Sequence, residues 1–502
     1  MEENNELKEP FELFGVECDK GWYGIIKPLF DYIEEYNKKN PDNEIKVLQV
    51  KEKFGCYDKE TEVLTNNGWK YFKDINYEDS IMTLNESNNT IEYHTPNDII
   101  SYKYTGKMYH LSNRGVDLKV TPNHNLYVAK GSYCNWRKNN EKVLYNFELC
   151  TPEKYFRKDK RFKKGGAIWK GEEQETFNIN STKEARPFKI GGDKLRTYTI
   201  KGFNAKMDDF LKFLGFYVAE GYSDSKKGMI SIAYNPYDEE DLIRNLMLNI
   251  NVSIKGESGL KHIYNKKLSK WLVNNCGHLA PNKKVPDFIK KLSPRQIRLF
   301  LEYLFIGDGY KSKTSNILTT TSKQLADDVC ELLMKCGDCF RVYTPRMKKE
   351  NGKNKIKSNF PIYEINWLKL NDVEIDMSKA KKTKSYIEQW EDYDDMVYCV
   401  TVPNHIIYVR RKGKGCWCGN SLRFYVSHGD ETLYKMIDKA ENESLKTCEH
   451  CGSKENVIHT DHWIWTVCKE CLKKSVKQSH RPVTFWENNK HYMCDTGGIK
   501  EI

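Results

Sequence analysis

Gly415-Cys416-Trp417-Cys418-Gly419-Asn420-Ser421 decides how this 502-residue chain is organised, and within it the bond between Asn420 and Ser421. The side-chain amide of an asparagine can attack its own carbonyl, closing a succinimide and cutting the chain behind itself. A hydroxyl on the next residue can hold an ester while that happens. An isolated Asn-Ser pair is ordinarily a turn, so its weight depends on whether a nucleophile and catalytic groups stand upstream.

Working outward, the residues after the pair, Ser421-Leu-Arg-Phe-Tyr-Val426, alternate like a strand. A matching β-like run, Ile45-Lys-Val-Leu-Gln-Val50, lies far upstream and leads through Lys51-Glu-Lys-Phe-Gly55 to Cys56. It follows a helical pattern over Trp22–Tyr36 that ends at Pro41-Asp42-Asn43. Joining Gly55 directly to Ser421 would give one continuous strand–turn–strand segment. Residues 56–420 therefore read as an insertion.

Charge divides at the same places. Residues 1–55 hold 8 basic and 13 acidic side chains and residues 421–502 twelve of each, so the flanks are net −5. With +11 for the whole chain, the middle is +16, a surface suited to a polyanion or simply a solvated, lysine-rich one. Charged residues make up 30% and mean hydropathy is −0.74, with no long apolar run, which excludes a helical membrane span. The acidic start Met1-Glu2-Glu3 is not that of a signal peptide, and the sixteen cysteines read as reduced thiols and metal ligands. A cytoplasmic protein of a bacterial or phage-infected cell is expected, with several domains at this length.

Three further blocks accompany the opening stretch. Cys56-Tyr-Asp-Lys-Glu-Thr-Glu-Val-Leu-Thr begins short strands with turns at Asn66-Asn67-Gly68 and Asn88-Asn89. Thr121-Pro122-Asn123-His124 and Val397-Tyr-Cys399-Val-Thr-Val-Pro403-Asn404-His405 follow in order. Together these blocks resemble an intein, a self-splicing insert of the all-β Hint fold. The resemblance implies that the Cys56 thiol takes over the acyl group of Gly55 as a thioester. Thr121 would orient the scissile amide and His124 protonate the departing nitrogen. Ser421 would then attack, and Asn420 would cyclise with help from His405, leaving Gly55 joined to Ser421. Two positions depart from the family pattern: Gly419 where a histidine is usual, and Cys399 where an aspartate is. The first makes Asn420 release the expected slow step, and the second puts a thiol near the reacting ends as a modulator. Slowed or conditional splicing is expected.

Inside the insert, two apolar helical runs end in acid-Gly-Tyr, at Glu220-Gly221-Tyr222 and Asp308-Gly309-Tyr310. The second starts with Ser293 as N-cap, Pro294 and Gln296. Gly215 and Ala219 share a face, so the two helices can approach closely, and the terminal glycines suit a left-handed cap. Side by side, the helices would bring Glu220 and Asp308 together, and such a pair calls for a divalent metal. The runs resemble the duplicated motif of LAGLIDADG homing endonucleases, in which the second would ordinarily carry glycine where this chain has Tyr303. The resemblance implies Mg²⁺ held by Glu220 and Asp308, a catalytic lysine at Lys284 in Asn282-Lys283-Lys284-Val285-Pro286, and double-stranded DNA, the uninterrupted host gene, as partner. The stretch Lys154–Lys164, basic with interleaved aromatics, reads as a phosphate-contacting segment or a solvated linker. Cys330, Cys336 and Cys339 read as buried small residues.

In the second flank, Cys448-Glu-His-Cys451 and Cys468-Lys-Glu-Cys471 have the spacing of a four-thiolate structural Zn²⁺ site, with His450, His459 and His462 in reserve. The flanks resemble small phage or bacterial zinc-binding proteins. The expected layout is therefore 1–55 and 421–502 as one α+β zinc-ribbon-like host, 56–150 and 391–420 as an all-β splicing domain, 151–203 as a basic linker or DNA-recognition region, and 204–390 as an α+β endonuclease. The competing expectation is a zinc-stabilised protein carrying a degenerate insert that neither splices nor cuts.

Overall fold

The computed structural model describes the chain apart from residues 1–10, 14–15, 19, 46, 51–54, 123, 132–144, 188–194, 312–315, 344–358, 369–371, 376–385, 420–423, 427–428, 445, 461–465 and 488–489. Asn420, Ser421 and His462 thus lie outside the described residues. Among those described, no helix is long and apolar enough to cross a membrane.

The flanks fold on each other. Strand Val47–Val50 pairs antiparallel with Phe424–Val426, in the register Phe424↔Val50 and Tyr425↔Gln49. Helix Tyr23–Lys39 lays Ile26, Leu29, Phe30 and Ile33 against Leu433, Ile437 and Ala440 of helix Glu431–Ser444, and these seven form part of one buried cluster. Trp22 Nε1 donates to the carbonyl of Thr447, and Gly21 abuts the Cys448 carbonyl so closely that a Cβ would come within 2.2 Å of it.

The described residues of 56–419 close on themselves. Strands Asp117–Val120, Tyr57–Asp58, Ile387–Thr401 and Asp98–Ser112 form a closed barrel, whose two fifteen-residue strands pair along their whole length. Beside it, Lys414–Gly419, Ile406–Arg411, Glu62–Thr65, Ile81–Asn85 and Thr90–His94 form a sheet, with Gly68–Tyr71 paired to Glu62–Thr65. The first and last strands of this stretch are thus built into one β-unit. The middle is a repeated helix–strand unit. Helix Met207–Glu220 leads into the sheet of Gly221–Asp224, Met229–Ala233 and Leu260–Tyr264. Helix Pro294–Asp308 leads into the sheet of Gly309–Lys311, Asn316–Thr320, Tyr363–Leu368 and Cys339–Val342.

Two expectations change here. Part of the basic stretch faces inward: Lys160–Lys163 is a strand between Leu126–Lys130 and Asp372–Ile375. Lys160 is fully buried against Glu388, and Lys164, also buried, donates to the Gly115 carbonyl. Those two charges serve the core, while Lys154, Arg157 and Lys158 of the same stretch are exposed. The glycines after the acids are not left-handed caps, since φ is −91° at Gly221 and −98° at Gly309. They are required by crowding, because a Cβ would lie 2.4 Å from the Tyr217 carbonyl and 2.2 Å from that of Phe305. Tyr303 does not hold the helices apart: Gly215 leaves room, its would-be Cβ being 2.3 Å from the Phe300 carbonyl oxygen and 3.1 Å from Tyr303 Cβ. Cys330, Cys336 and Cys339 are buried thiols, as read.

Candidate functional site

The neighbourhoods of Cys56 and Gly419 come together in the fold. Cys56 is fully buried, and its backbone N–H, half of the Gly55–Cys56 amide, donates to Thr121 Oγ1 at 2.8 Å. The Thr121 N–H in turn donates to the Cys56 carbonyl at 3.0 Å. Thr121 thereby clasps the residue from both sides. His124, one turn on, has its own N–H on the Thr121 carbonyl and lies edge-on to the Tyr57 ring, centroids 4.3 Å apart. Its Nε2 is 3.5 Å from the Cys418 thiol.

Cys399 is set opposite Cys56 by register. The barrel pairs Tyr398 with Tyr57 and Val397 with Asp58, so Cys399 and Cys56 occupy the next step of that ladder. Both thiols sit in one small buried cluster with Tyr102, Met108 and Val397. Burial pushes the Cys56 thiol well above its ordinary value, and the neighbouring Cys399 thiol pushes it further. Cys56 therefore rests as a thiol.

The other end is held by Tyr57, whose hydroxyl donates to the Gly419 carbonyl at 2.6 Å, while the Gly419 N–H donates to the Asn125 carbonyl. At Gly419 a Cβ would lie 2.6 Å from the Asn125 carbonyl oxygen and 2.8 Å from Leu149 Cδ2. The site has no room there for a histidine. His405 is half-buried with φ of 54°, a left-handed turn that starts the strand Ile406–Arg411. The ladder runs to Ile406↔Gly419, so His405 stands where the strand leading to Asn420 ends. Neither Tyr57 nor Cys418 carried a sequence signal, since each lies beside a motif residue and acts only through the fold.

The second site lies at the far ends of the two acid-bearing helices. Gly307 packs on Ala219 so closely that a Cβ would be 2.5 Å from Ala219 Cβ, which brings Glu220 and Asp308 onto one surface. Burial, then the Glu220 charge, pushes the Asp308 carboxyl up to about 7. Glu220 is raised as well, by burial first and Glu239 next. Two acids that resist ionising together form a set a divalent cation fits. The lysine facing them is Lys283 and not Lys284: burial lowers its ammonium to about 8, with Asp308 and Glu220 opposing. Lys283 Nζ donates to the Gly221 carbonyl at 2.7 Å and to that of Tyr217. Lys284 is half-buried, its N–H on the Cys276 carbonyl. Adjacent lysines are indistinguishable until the fold selects one.

In the second flank, the sulfurs of Cys448, Cys451, Cys468 and Cys471 lie within 4.8 Å of one another, with Cys451 and Cys468 3.7 Å apart. Four thiolates at Zn–S distances would be spaced roughly 3.8 Å, so the set fits zinc. The Cys468 sulfur also caps helix Lys469–Ser479 by accepting from the Cys471 N–H.

Residues 295–370 match the family described as a LAGLIDADG-like domain. In sequence the chain is similar to an ATP-dependent Clp protease proteolytic subunit of Chlamydomonas moewusii, 26% identical over 296 residues, 56% of this chain and 28% of that protein. It is similar to a DNA-directed RNA polymerase subunit beta C-terminal section of Stigeoclonium helveticum, 25% identical over 423 residues, 74% of this chain and 37% of that one. A DNA polymerase of Thermococcus litoralis is 35% identical over 170 residues, 31% of this chain and 10% of the polymerase. The chain thus spans little more than a third, at most, of these relatives' lengths.

Among solved structures it is similar to I-DmoI in complex with DNA and Ca, with TM-score 0.23 and 17% identity over 32% of this chain and 83% of that one. A class 3 split intein gives TM-score 0.16 and 18% identity over 30% and 77%. Likenesses this loose add no weight. The class is that of a mixed α/β multidomain protein. In particular, this chain contains a LAGLIDADG-like domain and a four-cysteine cluster fit to hold a metal.

Proposed function

We propose that the chain is a precursor that splices itself, excising residues 56–420 and joining Gly55 to Ser421, and that the excised part is a site-specific DNA endonuclease. The observation that carries this reading is the partition of the fold. Among the described residues, every strand pairing and every buried apolar cluster falls either wholly within 56–420 or wholly within the flanks. The similar proteins support it in another way. A protease subunit, an RNA polymerase subunit and a DNA polymerase share no named activity, and each is matched over a fraction of its length, as a transferable segment would be.

In this reading, Thr121 fixes the Gly55–Cys56 amide while the Cys56 sulfur attacks the Gly55 carbonyl. His124 gives a proton to the leaving Cys56 nitrogen, and a thioester results. Cys399 faces the nucleophile as a second thiol. The Ser421 hydroxyl takes the acyl group from sulfur, and Asn420 cyclises with His405 at the end of its ladder and Tyr57 holding the preceding carbonyl. The freed ester passes to the Ser421 amine as a peptide bond. In the endonuclease, Glu220 and Asp308 would hold Mg²⁺, which supplies Lewis-acid activation of a phosphodiester; Lys283 places a cation beside them. Zn²⁺ would be held by the four cysteines as a structural ion.

Expression in a bacterial host tests the splicing reading. Intact masses should show a 137-residue ligated protein and a 365-residue insert. Cys56→Ala should abolish N-terminal and Asn420→Ala C-terminal cleavage. Products that persist in the double variant would overturn the mechanism. A chain that stays at 502 residues would favour the competing reading of an inert insert, for which the closed space at Gly419 speaks.

A further inference from the structure

The hairpin of Ile406–Arg411 and Lys414–Gly419, whose last residue precedes Asn420, is not held by the β-unit alone. At its turn the Val342 N–H donates to the Gly413 carbonyl at 2.9 Å, and a Cβ on Gly413 would come within 2.3 Å of the Val342 oxygen. Two residues on, Gly415 makes room for Phe340, whose Cζ would be 2.9 Å from a Cβ there. Trp417, fully buried between Cys416 and Cys418, packs on Tyr408 with centroids 5.0 Å apart, and Tyr408 packs on Phe340 at 6.2 Å. Arg410, 4% exposed, divides its guanidinium: Nε and Nη2 go to Glu62, and Nη1 goes to Asp327 at 2.7 Å. Phe340, Val342 and Asp327 all lie within the LAGLIDADG-like residues 295–370.

The nucleophile's end is different. The named neighbours of Cys56 are Thr121, Cys399, Tyr102, Met108 and Val397, all of the barrel and its loops. The nuclease-like domain therefore braces the hairpin that ends at Gly419 and supplies none of these neighbours of Cys56; the hairpin meets the N-terminal machinery at Cys418 beside His124 and at the Gly419 carbonyl under the Tyr57 hydroxyl.

We propose that Asp327 and Phe340 are positioning residues for the C-terminal step, so that release at Asn420 depends on the LAGLIDADG-like fold while thioester formation at Cys56 does not. This inference rests on the splicing reading above. It makes the nuclease-like domain a working part of the splicing unit and not a removable passenger.

The test uses the full 502-residue chain. N-terminal release is measured in an Asn420→Ala background, with excess dithiothreitol: its thiolate attacks the thioester carbonyl, displaces the Cys56 thiol and frees residues 1–55. C-terminal release is measured in a Cys56→Ala background as the mass of fragment 421–502. Asp327→Asn and Phe340→Ala should each slow C-terminal release roughly tenfold or more, as misplacement of a reacting group does. N-terminal release should stay within about twofold of the parent, and Asp327→Glu should restore C-terminal release. Equal loss of both releases, or no change in either, would overturn the inference while leaving splicing intact. If Phe340→Ala fails to fold, the two Asp327 variants decide. A parent chain that releases neither fragment would instead overturn the splicing reading, and this inference with it.

Discussion

At the scale of single residues, Thr121 is the most exposed to a clean test, because its hydroxyl accepts the hydrogen bond of a fully buried amide. Thr121→Ala orphans that N–H, at a cost of about 1–3 kcal/mol. N-terminal release, followed by thiolysis, should fall accordingly, whereas Thr121→Ser should retain it. Gly419 makes the opposite case. A histidine placed there should not speed the proposed Asn420 release, because the side chain would drive into Asn125 and Leu149; a loss of about 1–3 kcal/mol in unfolding free energy is expected. His110 gives a pH signature. The Asp117 carboxylate, then Glu391, raise its pKa against burial and Arg411. The stability this supplies is fully present below the unfolded value of about 6.5 and is lost as pH rises through the folded value. Between pH 6 and 8 the melting temperature of a splicing-blocked chain should therefore fall more steeply than that of its His110→Gln variant.

Among elements, the acid-bearing helices show what was legible beforehand and what was not. Their ends were readable, since Ser293, Pro294 and Gln296 mark a start, and the Ser293 hydroxyl does accept from the Gln296 N–H. Their closeness was readable from Gly215, yet the accommodation of Tyr303 was not, because it depends on which backbone carbonyl faces that glycine. The choice of Lys283 over Lys284 escaped for the same reason: alternate residues separate only when one turns inward. Lys160 and Lys164 misled because a lysine's charge says nothing of its burial, and both are absorbed by acceptors 228 and 49 positions distant in sequence. The acid pair itself yields a prediction. Asp308→Asn removes a charge that burial disfavours, so Mg²⁺-dependent cleavage of the uninterrupted host gene should disappear while the melting temperature holds or rises. A fall in both would make Asp308 a structural residue.

Over the whole molecule, the division of the cores means that stability is not one quantity. The flanks' clusters share no residue with those of 56–420, and the zinc-side cluster is small, built around Cys448, Ile458, Val467, Leu472, Val476 and Phe485. A unit with so little apolar interior would lean on a metal held by its four cysteines. Structural Zn²⁺ binding is worth about 10–16 kcal/mol, as much as the whole folding free energy of a typical domain, about 5–15 kcal/mol. The insert contains no comparable thiolate group among its described residues. A splicing-blocked Cys56→Ala, Asn420→Ala chain should therefore melt in two calorimetric transitions. A strong chelator should abolish or sharply lower the one that Cys451→Ser also lowers, and should leave the other in place. One merged transition that moves as a whole with chelator would mean that the flanks and the middle are a single cooperative body, and the insertion reading would lose its physical basis.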